Sequence, residues 1–209
     1  MGSVPSSVMA TRIKSDLASY AGCMTLFGGA FLVAGVGGLA GTWHRADMPL
    51  WVRGLLVAFA GAGALGLVAA VTNALRLRKF GQVWLELEEA RVGGVIAGVI
   101  EVGLAAPPTG DGTLTLTCTR TVQTGSQKNR SSRTVTLHHQ DVTVPRDRIT
   151  LDGGRARIPV RIEVPPGLPA RGPARDEQGR SGSVSWELSC HVPASGIDLV
   201  APFRLPIEG

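Results

Sequence analysis

The chain has 209 residues, room for one ordinary domain and something smaller, and it is 44% hydrophobic but only 5% aromatic, with 28 glycines. Its net charge is +5, yet lysine stands only at positions 14, 79 and 128, so the positive charge is carried mainly by arginine. No aromatic residues interleave with those arginines and no run reads as a recognition helix, which sets nucleic acid aside as a partner; an arginine bias of this kind fits a GC-rich bacterial genome. The apolar residues are concentrated. Almost everything from Leu17 to Leu75 is apolar or small, and from Lys79 onward the chain is polar, charged and broken by proline.

In chain order, residues 1–17 read as an N-terminal tail carrying Arg12 and Lys14. Two apolar runs follow, from about Ala18 to Gly41 without a charge and from about Leu50 to Leu75 with Arg53 alone near its start. Crossing the hydrocarbon layer takes about 20 apolar residues, and a soluble core helix would show a polar face at helical spacing, which neither run has. Residues 18–77 therefore read as a two-helix transmembrane hairpin in contact with the lipid bilayer. The first run is far longer than the apolar region of a signal peptide, and Trp43-His44-Arg45 is a poor cleavage context, so the run is expected to be retained. Arg12, Lys14, Arg76, Arg78 and Lys79 flank the hairpin on its terminal side, against Arg45 and Arg53 between the helices. By the positive-inside rule both termini and everything after the hairpin face the cytoplasm, in a multi-pass protein of the bacterial inner membrane, with Trp43 and Trp51 at the opposite interface.

Small residues recur every four positions in the second run, at Gly54, Ala58, Ala62, Gly66, Ala70 and Ala74, and in the first at Ala30, Ala34 and Gly38. Such stripes let helix backbones approach closely where lipid supplies no hydrophobic drive. They serve either the packing of the two helices on each other or docking to another membrane protein or a second copy. Arg53 is close enough to the interface to snorkel, and no other ionisable group lies within the spans, which argues against a proton path or transporter.

From 82 to 209 the period changes to two. Strands are predicted at Val83–Glu88, Val95–Leu104, Leu114–Arg120, Thr134–His138, Arg157–Val164, Val184–Val192 and Leu199–Ile207. Gly93-Gly94 and Gly98 read as bends or bulges, and turn-rich stretches lie at Gly125–Ser132, Asp152-Gly153-Gly154 and Pro165–Ser183. About seven short strands with turn signals between them, and no amphipathic helix, predict an antiparallel β-sandwich of immunoglobulin type. The full fold class is thus a membrane α-helical hairpin followed by an all-β domain.

The stretch from Ala156 to Pro169, Ala-Arg-Ile-Pro-Val-Arg-Ile-Glu-Val-Pro-Pro-Gly-Leu-Pro, resembles the arrestin-family phrase in which a strand ends in two leu-pro steps. Ser183–Cys190 is similar to that family's ile-x-tyr-x-leu strand, and Leu85–Leu87, Gly93-Gly94 and Gly98–Ile100 to its opening strand and turn. The chain departs from the family in having one lobe and no evident polar core or phosphate-sensing arginine cluster, so receptor and phosphate binding do not carry over. The resemblance implies an arrestin-like sandwich that binds other proteins.

Cys118, His138, His139, Cys190 and His191 are the candidate metal ligands, since zinc takes Cys and His. Neighbours along a strand point to opposite faces, so at most one of each adjacent pair converges with Cys118; Cys118 and Cys190 read as small core residues. A metal-binding or enzymatic domain using Cys118, His139 and Cys190 is the alternative of another class. No Gly-x-Ser-x-Gly elbow, phosphate loop or dinucleotide fingerprint is present, and Glu86, Glu88, Glu89 and Glu101 lack a partner pattern. The expectation is a non-enzymatic protein without a cofactor. Arg155, Arg157 and Arg161 share a strand face by their even spacing and are the candidate surface for an anionic partner. The leading expectation is a membrane-anchored interaction or scaffold module, with an accessory subunit of a large bioenergetic or transport complex as the alternative. A periplasmic envelope role would require the opposite topology.

Overall fold

The computed structural model describes residues 11–42, 49–124, 131–175 and 180–208. It divides into two compact units, residues 17–79 and a second formed by residues 1–16 with 80–209. Trp43, singled out above, lies outside the described residues.

The first unit is a pair of helices, α1 (Leu17–Thr42) and α2 (Leu50–Phe80), of 26 and 31 residues. At 1.5 Å per residue they extend about 39 and 46 Å, and both are long and apolar enough to cross a membrane. Leu26, Phe27, Val33, Leu55, Leu65 and Val68 point outward, as lipid-facing residues would. The polar side chains turn back on their own helix: Thr42 Oγ1 donates to the Gly38 carbonyl and Thr72 Oγ1 to that of Val68, each at 2.8 Å. Arg78 and Lys79 in the last turn of α2 complement the negative end of its dipole.

The helices meet along glycines. A Cβ at Gly28 would stand 2.9 Å from the Leu67 amide nitrogen, one at Gly35 would overlap Ala60, and one at Gly63 would overlap Leu32. The Phe31 and Phe59 rings pack beside this seam with centroids 5.4 Å apart. Its spacing is seven residues, because seven steps of an α-helix drift by only about 20°. Four steps drift by about 40°, so the every-four row from Gly54 to Ala74 winds around α2 instead of following one face.

The second unit is a β-sandwich whose strand pairs are all antiparallel. The strands are β1 (Thr11–Lys14), β2 (Trp84–Ala90), β3 (Val95–Gly103), β4 (Gly112–Thr124), β5 (Ser131–Val144), β6 (Thr150–Asp152), β7 (Arg155–Glu163), β8 (Gly172–Arg175), β9 (Ser181–Val192) and β10 (Leu199–Leu205). One sheet has the order β1-β2-β3-β7-β6. The other runs β10-β9-β4-β5, with β8 added to β9.

All seven predicted strands are present. Three short strands, β1, β6 and β8, were not legible, and β5 runs on to Val144 instead of ending at His138. The largest difference is at the N-terminus, where the sequence predicts a tail over residues 1–17. Residues 11–14 form β1 and pair with β2, Arg12 opposite Glu86 and Lys14 opposite Trp84. The Asp16 amide then bonds the Pro202 carbonyl of the other sheet at 3.2 Å, and Arg204 Nε reaches Asp16 Oδ2 at 3.0 Å. The segment before α1 is therefore stitched to both sheets.

The core sits between the sheets. Leu85, Ile96, Ile100, Ile158 and Ile162 from one meet Leu114, Leu116, Trp186, Leu188 and Phe203 from the other, all essentially without exposure. Each such burial stabilises by about 1.5–3 kcal/mol. Trp186 Nε1 donates to the Pro169 carbonyl at 3.0 Å, which fixes the proline-rich loop over the core. Gly93 takes φ +72° in the β2–β3 turn, as that turn requires. Gly98, expected at a bend, lies inside β3. The irregularity is across from it, where β2 shifts register between Leu87 and Glu89, and a Cβ at Gly98 would overlap the Glu86 carbonyl oxygen.

Candidate interaction surfaces

The Cys and His residues are separated by the sheet that holds them. Cys190 pairs with Leu114 and Cys118 with Trp186, so the two thiols are four residues apart along adjacent strands, about 13 Å. Both point into the core as free thiols. Burial pushes the Cys190 thiol up to about 12; it also raises Cys118, against a smaller opposing pull from the Arg120 charge. His139 stands on the opposite face, beside Thr117 and Asp141, and His191 lies 3.5 Å from Asp198. His138 is on the inner side, half-buried, its ring 6.4 Å from that of Trp186. Cys118, His139 and Cys190 are not brought together. Among the described residues no group of three His, Cys, Asp or Glu side chains is placed to hold a metal.

Arg155, Arg157 and Arg161 do share the outer face of β7, whose other face is buried. Arg157 is tied to Glu101 at 3.3 Å. The same carboxylate receives Arg12 from β1 at 3.6 Å; Arg12 also reaches Glu86 at 3.7 Å and covers the Trp84 ring at 4.6 Å. Arg12, Gln82, Trp84, Glu101 and Arg155 line a cleft of about 300 Å³ beside these pairs. Sequence reasoning placed Arg12 among the topology-setting charges and missed its part in this face. The alternation in Thr-Arg-Ile-Lys was its one signal, too short to stand alone. The surface is a mixed ion-pair network at one end, with Arg161 further along β7.

On the helices, Ala30, Ala34, Gly54, Ala58 and Ala62 are exposed, Gly38 and Gly66 are half-buried, and Ala70 is buried. Most of the every-four row thus lies off the seam between α1 and α2.

The outer face of the second sheet was not singled out from sequence. Thr113, Thr115, Thr117, Thr119 and Thr121 alternate along β4 with inward apolar residues and Arg120. Their hydroxyls bond across strands: Thr115 to Asp141 at 2.6 Å, Thr119 to Ser185 at 2.8 Å, Thr121 to Thr134 at 3.1 Å. Such cross-strand pairs stabilise the sheet and leave a hydroxyl-rich surface.

No protein-family model matches the chain, and no curated protein matches it. Among solved structures, it is similar to the sporulation control protein Spo0M from Bacillus subtilis, with a TM-score of 0.35 and 15% identity over 61% of this chain. The similarity spans 49% of that protein's length, about half.

Proposed function

We propose that this protein is a membrane-anchored, non-enzymatic interaction module. Its helical hairpin spans the bacterial inner membrane and docks laterally, and its sandwich, of arrestin-like type by the phrase at Ala156–Pro169, engages a protein partner in the cytoplasm. The observation that carries the reading is the hairpin itself. Its two helices are apolar on all sides and close on each other through Gly28, Gly35 and Gly63, and Ala30, Ala34, Gly54, Ala58 and Ala62 remain exposed beside them. Exposed small residues on a lipid-facing helix offer a surface to which another helix can pack closely.

The cytoplasmic orientation is supported by the charges at the helix ends: Arg12, Lys14, Arg76, Arg78 and Lys79 on the terminal side against Arg45 and Arg53 on the side of the connection. Reporter fusions at the C-terminus test it: a fluorescent-protein fusion should glow and an alkaline phosphatase fusion should be inactive. The interaction reading is tested by purifying the tagged chain from native membranes in mild detergent. Co-purifying protein or a homo-oligomer supports it, and a lone monomer overturns it. A discrete large assembly would identify the chain as an accessory subunit.

A further inference from the structure

A strand at the end of a sheet presents unpaired backbone N–H and C=O groups, and proteins guard such edges with short strands, proline, charged side chains or bulges. Among the described residues four of the five edge strands are guarded by shortness or by proline. β1 and β8 have four residues, β6 has three, and β10 carries Pro202. β5 is the long one: it has 14 residues with neither proline nor lysine, its guards are Arg133, Asp141 and a single bulge, and it pairs on one side, with β4. Ser131–Thr136 are exposed throughout.

β5 also contains a copy of the pattern it already binds. On the outer face, β4 sets Thr115 against Asp141 of β5 at 2.6 Å and Thr117 against His139 at 3.4 Å. The register of β4 and β5 shifts between the pairs Cys118–His138 and Thr119–Thr136, leaving Leu137 as the extra residue. That bulge reverses the alternation of β5, so Thr134 and Thr136 share the outer face with His139 and Asp141. The edge is therefore self-complementary. A second β5 laid antiparallel, with Thr134 opposite the partner's Asp141 and Thr136 opposite the partner's His139, repeats both pairs twice over. The same register sets Arg133 opposite the partner's Val142 and Val135 opposite the partner's Gln140, and no like charges face each other.

We propose that β5 is a self-association edge through which two copies of this chain join into one continuous sheet about a two-fold axis. The inference rests on the interaction-module reading and names its partner as a second copy.

Disulfide trapping in native membranes tests it, using the full chain in a Cys23→Ser background. Positions 134 and 141 are seven residues apart in one strand, about 23 Å, so a Thr134→Cys/Asp141→Cys double variant cannot close on itself. It should give a covalent dimer under mild oxidation, and neither single variant should. No dimer from the double variant, or as much from the single ones, overturns the proposal. In mild detergent, light scattering should show a dimer whose dissociation constant rises about tenfold or more in Thr134→Lys, with strand content by circular dichroism unchanged. An unchanged constant overturns the proposal. If the edge fails to cross-link while Ala58→Cys in α2 does, or while another protein co-purifies, this inference fails and the interaction-module reading stands. A lone monomer in every experiment overturns both.

Discussion

Gly35 of α1 lies against Ala60 of α2 so closely that a Cβ at position 35 would overlap the Ala60 amide nitrogen and stand 2.8 Å from the Leu56 carbonyl oxygen. The obstacle is backbone, which cannot rotate away. Gly35→Leu should therefore force the helices apart and destabilise the hairpin by about 1–3 kcal/mol. Gly54→Leu, at a position with nothing within 4 Å, should leave the hairpin intact. Cysteine cross-linking between α1 and α2 across a denaturing-detergent titration distinguishes the two. Equal sensitivity would contradict the seam described here.

Two glycines in the sandwich have the same relationship to a neighbouring strand. A Cβ at Gly98 would overlap the Glu86 carbonyl oxygen, and one at Gly182 the Thr121 carbonyl oxygen. Gly98→Ala and Gly182→Ala should each cost about 1–3 kcal/mol, read as a lower urea midpoint of Trp186 fluorescence. Gly153→Ala, where nothing lies within 4 Å but φ is +54°, should cost about 1 kcal/mol.

The buried thiols carry a pH dependence of definite sign. An unfolded thiol ionises near 9.0, and Cys190 in the fold is held up to about 12. Below 9 both states keep the proton and the thiol stabilises neither. Above 9 the unfolded chain loses its proton first, so stability falls as pH rises toward 12. The urea midpoint should drop as pH rises from about 9 toward 12, and the drop should be smaller in Cys190→Ala. At neutral pH maleimide should label Cys118 and Cys190 only after denaturant is added.

The ion pairs around Arg12 are half exposed and should contribute little individually. Arg12→Ala is expected to cost at most about 1 kcal/mol. Replacing Ile13 and Ser15 together by proline removes backbone donors of the segment that joins both sheets; the Ser15 amide bonds the Val83 carbonyl at 3.0 Å. That change should cost several times more. Comparable midpoints for the two variants would show that β1 does not support the sandwich.

What depends on local pattern is legible in the residues themselves. Two runs without a polar face are helices of 26 and 31 residues, and seven alternating runs are strands with their apolar sides inward, because period and hydrophobicity are written residue by residue. The even spacing of Arg155, Arg157 and Arg161 likewise set them on one face. Tertiary structure decided whatever depends on a distant partner. Thr11–Lys14 is too short to be a strand alone and becomes one only because β2, some 70 residues later, leaves an edge to bind it. The seam at Gly28, Gly35 and Gly63 follows from how two helices meet, and the every-four row that stands out in sequence winds away from it. Cys118, His139 and Cys190 look like a ligand set only until strand register assigns two faces and a separation of about 13 Å. The exposed edge of β5 exists because Ser131–Val144 falls last in its sheet, and strand order is a property of the whole fold.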